Sequence, residues 1–391
     1  MIIRKISKSN LIDELSKTGV DEKAFGIIEI KSETLIFKLH DIDARGANIL
    51  KQEFLSKGGD VAVHKGVTSF KTPRTDAITI GTQKTYEEVT KKLALEPYFG
   101  LKEIKEALKK AIIKNPFPSL KIREKVFYFD KSHYIMGVLN ITPDSFSDGG
   151  KFLDFKSALN HAKEMISEGA DIIDIGGEST RPGAQSISED EEKRRVIPVI
   201  EEIRKFSDIP ISIDTYKSAV AREASKSGAD FINDISGLRF DPEMVNVAMD
   251  YKVPVIVMHI KGTPRDMQKN PFYEDLMREL LEYFEERINT LNKAGIDKII
   301  IDPGIGFGKR LEDNLKIIKN LNEFSIFNLP VMIGVSRKSF IGNILDRTVE
   351  ERLTGTIAAN AMALLNGANI LRVHDVKPHK ELIKMFEAIN Q

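Results

Sequence analysis

The 391 residues contain no cysteine and no tryptophan. The missing cysteine excludes disulfides, zinc–thiolate centres and thiol nucleophiles, so any chemistry must rest on carboxylates, amines, imidazoles, hydroxyls or a hard metal ion. Net charge is lacking too: 58 Lys plus Arg balance 58 Asp plus Glu. A neutral chain presents no bulk field to nucleic acid or to a membrane surface, although local basic sites stay open. No window approaches the roughly eighteen uninterrupted apolar residues of a membrane-spanning helix. The opening residues, MIIRKISK, lack the apolar core and small-residue cleavage site of a signal peptide. Together these absences predict a cytoplasmic protein with no nucleic-acid and no membrane partner. The same absences, with few Gln and heavy use of Lys, Glu and Ile, resemble the composition of heat-adapted proteins.

What is present is ample apolar material, 41% of the chain, and a length that suggests more than one domain. Residues 1–119 predict a small α+β domain. Within it, 25–39 reads as two strands joined at a polar turn, 44–55 as a helix ended by a Gly-Gly pair, and 60–67 and 77–81 as short strands. Residues 86–95 and 101–114 read as helices. This part carries no glycine-rich phosphate loop, metal-spaced His pair or nucleophile motif, and His40 with Asp41 and Asp43 reads as a solvated strand end. The stretch 115–119, NPFPS, is a plausible linker, since two nearby prolines stop helix and strand alike.

From about residue 125 the pattern changes. Residues 125–130 and 133 onward read as a short hairpin feeding an opening strand. Eight apolar runs follow at 135–140, 172–176, 211–214, 231–234, 255–259, 299–302, 331–336 and 370–374, separated by helix-like segments such as 157–167, 189–206, 218–226, 273–293, 311–321 and 351–365. Eight strands alternating with helices over 120–391 predict an α/β fold, a (β/α)8 TIM barrel preceded by the small α+β domain. An internal echo supports it: EGAD at 168–171, SGAD at 227–230, AGID at 294–297 and NGAN at 366–369 each precede a strand. A glycine there can adopt the left-handed conformation that closes a helix.

In such a barrel the chemistry lies at the C-terminal strand ends. The residues closing the runs are Asn140, Asp174 with Glu178, Asp214, Asn233 with Asp234, His259, Asp302, Ser336 to Lys338, and Arg372 with His374. One polar strand end is routinely structural, whereas eight converging on one mouth are hard to explain as packing. Asp214, Asn233 and Asp302 suit a planar, donor-rich heterocycle. Arg181, Lys338, Arg372 and His374 suit an anion such as a phosphate chain. Asn140 could add an oxygen ligand to Mg2+, which binds through few protein groups plus substrate phosphates. His259 follows a deeply apolar run and reads as structural. Two polar loops, after Asn140 and over 178–184, look able to close over a reacting centre.

Read in order, 136–150 (MGVLNITPDSFSDGG), 174–184 (DIGGESTRPGA), 211–215 (ISIDT), 231–237 (FINDISG), 257–264 (VMHIKGTP), 301–309 (IDPGIGFGK), 333–342 (IGVSRKSFIG) and 371–376 (LRVHDV) closely resemble the dihydropteroate synthase family. The resemblance covers about 125–391. It implies a transferase that condenses 6-hydroxymethyl-7,8-dihydropterin diphosphate with an aryl amine and releases diphosphate. By matching motif, it implies pterin contacts from Asp214, Asn233, Asp302 and Lys338, and diphosphate contacts from Asn140, Arg372 and His374, with Mg2+ at Asn140. Thr180, Arg181, Pro182, Phe307 and Ser336 would shape the aryl-amine site. Asp144 belongs to a loop closing beside it, and the turnover set is Asp214, Lys338, Asp144 and Arg181. A homodimer through barrel helices is implied as well. The amine is p-aminobenzoate in folate synthesis or its ribofuranosyl phosphate relative in archaeal methanopterin synthesis. The latter would need added basic surface, which Lys309 and Arg310 could supply. Two other readings stand beside this one: a corrinoid-dependent type of pterin methyltransferase, and a non-catalytic pterin-binding module. The resemblance gives residues 1–119 no role.

Overall fold

A computed structural model describes residues 2–69, 71–113, 119–141, 150–181 and 183–390. The chain divides into two compact units, Met1–Asn115 and Pro116–Gln391. Among the described residues no helix is long and apolar enough to cross a membrane.

The first unit runs α1 (Leu11–Thr18), α2 (Phe25–Glu29), β1 (Thr34–Asp43), α3 (Ala44–Ser56), β2 (Asp60–Val63), β3 (Arg74–Thr82), α4 (Gln83–Leu93) and α5 (Leu101–Ile112). The strands form one antiparallel sheet in the order β1-β3-β2. Alternation along the strands turns Phe37, Val61 and Ala77 towards the helices, where they meet Leu50, Phe54, Tyr86, Leu93, Leu101 and Leu108. The expectation of two strands over 25–39 fails in its first half, which is α2. Asp21 accepts the backbone N–H of Lys23 at 2.9 Å and opens a helical turn that runs into Phe25, and a five-residue segment carries no period that tells helix from strand. His40 meets Asp76 at 3.2 Å on the strand face.

The second unit begins with a hairpin, β4 (Leu120–Ile122) and β5 (Lys125–Phe127). The strand expected to pair with 133 onward instead pairs back with 120–122, in the register Leu120↔Phe127. There follow β6 (Tyr134–Asn140), α6 (Gly150–Glu168), β7 (Ile172–Gly176), α7 (Glu189–Phe206), β8 (Ile211–Asp214), α8 (Ser218–Ser227), β9 (Phe231–Asp234), α9 (Glu243–Tyr251) and β10 (Val255–Met258). The barrel continues through α10 (Leu276–Lys293), β11 (Ile299–Asp302), α11 (Leu311–Lys319), β12 (Met332–Ile333), α12 (Ser339–Leu345), α13 (Leu353–Leu365), β13 (Ile370–Val373) and α14 (Val376–Asn390). Strands β6 to β13 make one eight-stranded parallel sheet, and a bridge between Ile301 and Val331 joins its two ends.

Period-two alternation builds the interior in layers. Met136, Ile172, Phe231, Ile256, Ile300, Met332 and Ile370 form the lower layer, sealed from below by Leu120, Ile122 and Phe127 of the hairpin. The residues between them, such as Ile135, Ile173, Ile213, Ile232, Val257 and Ile301, point outwards and pack against the helices. Two residues beyond the lower layer the interior turns polar: Asp174, Asn233, Asp302 and Arg372 occupy the same faces of their strands.

The four echoes close helices as expected. Gly169, Gly228, Gly295 and Gly367 have φ of 98°, 115°, 82° and 99°, and in each case the following N–H reaches back to a carbonyl in the last helical turn, at 2.8 to 2.9 Å. The last residue of three echoes also pins the preceding strand. Asp171, Asp230 and Asn369 accept the backbone N–H of Ile135, Ile211 and Val331 at 2.8, 2.9 and 2.8 Å.

Candidate active site at the barrel mouth

Arg372 rises from the inner face of β13 and meets two carboxylates from strands far away in sequence. Its Nε donates to Asp174 Oδ2 at 2.7 Å and its Nη2 to Asp214 Oδ2 at 2.7 Å. Asp174 is fully buried and also accepts from the Asn233 amide, at 3.3 and 3.2 Å to its two oxygens. One chain of contacts therefore spans β13, β7, β8 and β9. Burial pushes the Asp214 carboxyl up, against the opposing pull of Arg372. Burial works against the Arg372 charge, but Asp174 and Asp214 more than offset it and hold the guanidinium protonated.

The opposite wall comes from β11 and β12. Asp302 accepts the N–H of Gly304 at 2.8 Å, and burial raises its carboxyl, with Lys338 the main opposing charge. Lys338 donates to the carbonyl of Ile305 and stands 4.8 Å from the centre of the Phe307 ring. Burial lowers its ammonium to about 8. The loop that presents Ile305 and Phe307 needs its glycines: a Cβ on Gly304 would stand 2.0 Å from the carbonyl oxygen of His259, and one on Gly308 2.3 Å from that of Lys261.

Ser336 and His374 form a third group. The Ser336 hydroxyl accepts the N–H of His374 at 3.2 Å and lies 2.9 Å from its Nδ1, which leaves Nε2 as the other ring nitrogen. Burial, then Arg372, lowers His374 to about 4, so the imidazole is neutral at pH 7. Beside it Arg337 grips Asp375 bidentately at 2.9 and 2.7 Å. Arg181 lies close enough to add to the positive field at His374, and Thr180 is its half-buried neighbour.

Asn140 ends β6 opposite Gly176. A Cβ on Gly176 would lie 3.6 Å from Asn140 Oδ1 and 3.7 Å from Asp214 Oδ2, so the glycine leaves an oxygen-lined gap at the mouth. Among the described residues no three His, Cys, Asp or Glu side chains are grouped to hold a metal. The donor set fits a hard cation that takes one amide oxygen from the protein and the rest from phosphate and water.

Asp144 and Pro182 lie outside the described residues. His259 is structural, as expected: it is buried, packs edge-on against Tyr283 at 4.8 Å and lies 3.0 Å from Lys309 Nζ. Of the two residues that could supply added basic surface, Lys309 is buried, whereas Arg310 is exposed. Lys309 is 2% exposed and donates to the carbonyls of His259 and Phe307, while Arg310 is taken up by Asp313 at 2.9 and 3.0 Å as it starts α11. Asp174, counted among the strand ends but given no chemistry there, is the residue that joins Arg372 to Asn233. The available signal was its place two residues beyond the lower-layer Ile172, on the inward face.

Residues 136–374 match the family model described as pterin binding enzyme. A Bacillus subtilis dihydropteroate synthase is 51% identical over 257 residues, which are 65% of this chain and 88% of that protein. A solved Xanthomonas albilineans dihydropteroate synthase with 4-aminobenzoic acid is 41% identical with a TM-score of 0.65, over 70% of this chain and 98% of that one. A Helicobacter pylori protein called bifunctional dihydropteroate synthase/dihydropteroate reductase is 36% identical over 394 residues, covering 100% of both chains. The family-model match runs through every strand end that supplies the mouth, and the chain belongs to the dihydropteroate synthase family of pterin-binding enzymes.

Proposed function

We propose that the second unit joins 6-hydroxymethyl-7,8-dihydropterin diphosphate to p-aminobenzoate, releasing diphosphate and forming dihydropteroate for folate synthesis. The observation that carries this reading is Arg372 held between Asp174 and Asp214 inside a mouth of mixed charge. Asp214, Asn233, Asp302 and Lys338 bind the pterin ring, whose N–H groups match the carboxylates and amide. Arg372 and His374 hold the diphosphate, the imidazole as a neutral donor. Thr180, Arg181, Pro182, Phe307 and Ser336 shape the amine site, and Asp144 belongs to the loop beside it.

In the reaction the bond from the pterin methylene to oxygen breaks and its electron pair leaves with diphosphate. Arg372 and His374 stabilise that departing charge, and the buried carboxylates, Asp214 first, stabilise the positive charge left on the methylene and ring. The amine nitrogen then bonds to the methylene and loses a proton to solvent. Mg2+ bound through Asn140 and the substrate phosphates would supply neutralisation of the leaving group. No covalent enzyme intermediate is required. Buried Lys309, bonded to the carbonyls of His259 and Phe307, favours p-aminobenzoate over an amine with its own phosphate. Exposed Met362 and Leu365 on α13 and Met385 and Ile389 on α14 favour a homodimer through barrel helices.

The test is diphosphate release with Mg2+, the pterin diphosphate and each amine in turn, for the parent and for Asp214→Asn. Amine-dependent release that prefers p-aminobenzoate, lost in a folded Asp214→Asn protein, supports the reading. Methyl transfer without diphosphate release would favour the methyltransferase reading.

A second reading adds to the first. Because the Helicobacter pylori relative matches this chain along its whole length, residues 1–115 included, we infer that the full chain also reduces dihydropteroate. Reduction would need a bound two-electron donor to supply hydride to C6 of the C6=N5 bond, with a proton from solvent to N5. Oxidation of added NADPH or NADH in step with dihydropteroate loss tests it, and no oxidation with either rejects it.

A further inference from the structure

A buried charge cluster just outside the mouth has no part in the chemistry above. Lys217 lies three residues beyond Asp214 with its side chain 12% exposed. Its ammonium donates to Glu178, to Glu192 Oε2 at 2.6 Å and to the carbonyl of Ile187 at 2.8 Å. The other oxygen of Glu178 accepts from the Tyr216 hydroxyl at 2.6 Å, and Oε2 of Glu178 takes a long contact of 3.4 Å from the Ile187 N–H.

Glu178 and Ile187 are the two stems of the loop that carries Thr180 and Arg181. One ammonium and one carboxylate thus tie both stems to each other and to the segment leaving Asp214. Arg195 of α7 adds a hold on the carbonyl of Gly177 at 3.0 Å. Further along, the Gly183 N–H donates to the Pro264 carbonyl at 3.2 Å and Arg265 to the Ser186 hydroxyl at 2.7 Å.

A cluster of this kind is a poor way to gain stability alone. Two carboxylates and one ammonium lose most of their water, and apolar residues of similar volume would serve the fold as well. Among the described residues, Glu192 Oε1 is buried without a hydrogen-bond partner. What charge-assisted bonds to a carbonyl and two carboxylates do supply is directional placement of the groups they join.

We propose that Lys217 and Glu178 form a clamp that positions the Thr180–Arg181 loop for the aryl amine and couples its placement to Asp214 at the pterin end. The proposal rests on the assignment of Thr180 and Arg181 to the amine site. Lys217 and Glu178 are positioning residues and touch no substrate.

The test uses the full chain with Lys217→Met, Lys217→Arg, Glu178→Gln and Tyr216→Phe, with Arg181→Ala as control. Steady-state kinetics give KM for each substrate, and calorimetric titration without amine gives the affinity for the pterin diphosphate. The clamp predicts that Lys217→Met and Glu178→Gln raise KM for p-aminobenzoate by about tenfold or more, the scale of a small misplacement. Pterin affinity should stay within about twofold, Lys217→Arg should recover part of the loss, and Tyr216→Phe should show a smaller effect. Should Lys217→Met fail to fold, Glu178→Gln and Tyr216→Phe carry the test, since both keep side-chain volume. Folded variants with unchanged amine KM, or with both substrates weakened equally, overturn the clamp. If Arg181→Ala also leaves amine KM unchanged, the amine-site assignment fails; if it raises KM while the clamp variants do not, only the clamp fails.

Discussion

Arg372 balances two buried carboxylates, so its removal has two separable effects. Arg372→Ala leaves Asp174 and Asp214 without their cation, which should destabilise the fold by about 3–5 kcal/mol and abolish most turnover; thermal melting and diphosphate release check the two. Lys338 supplies a pH test. Burial lowers its ammonium to about 8, so it carries charge below that pH and loses it above. If the pterin is held by the charged form, kcat/KM falls as pH rises through about 8, and Lys338→Arg, charged throughout, removes that limb. His374, lowered to about 4, should contribute no limb between about pH 5 and 8. Positions such as Asn140, Asp214, Asp302 and Arg372 are legible in the sequence because each closes an apolar run. Their pairings are not: Arg372 and Asp174 meet only because β13 pairs with β6, which places it one strand from β7, and nothing local in either run encodes that contact.

At the scale of elements, repeated cues were the readable ones. The four Gly echoes predict left-handed helix ends, and the backbone adopts them because only glycine does so without strain. Strand and helix alternation was similarly plain where the segments are long, and α7 spans the residues its acidic start and apolar period suggest. Short segments were not readable: α2 has five residues, too few for a period. The loop after β11 makes its own prediction. Gly304 has φ of 71° and its Cβ would stand 2.0 Å from the carbonyl oxygen of His259. Gly304→Ala should therefore cost about 2 kcal/mol or more and, by shifting Ile305 and Phe307 away from Lys338, lower turnover. Denaturant unfolding and kinetics on the same sample measure both; a neutral result on both would mean the loop relaxes without consequence.

At the scale of the molecule, each unit has its own hydrophobic core, and the Bacillus subtilis relative is matched over 88% of its length by part of this chain alone. A chain of residues 116–391 should fold and keep synthase turnover within a few-fold, while any reductase activity should disappear with residues 1–115. Kinetics of the truncated and full chains decide this, and loss of synthase activity by a folded barrel would assign the first unit a part in that reaction. The role of that unit was not legible from its residues, since its sheet and helices carry no site motif and fold alone does not specify function. The measurement that bears most directly on the whole account is product stoichiometry with Mg2+, 6-hydroxymethyl-7,8-dihydropterin diphosphate and p-aminobenzoate. The account predicts one diphosphate released per dihydropteroate formed when both substrates are saturating. Diphosphate release without any carbon–nitrogen bond formed, or no release at all from the folded protein, would contradict it.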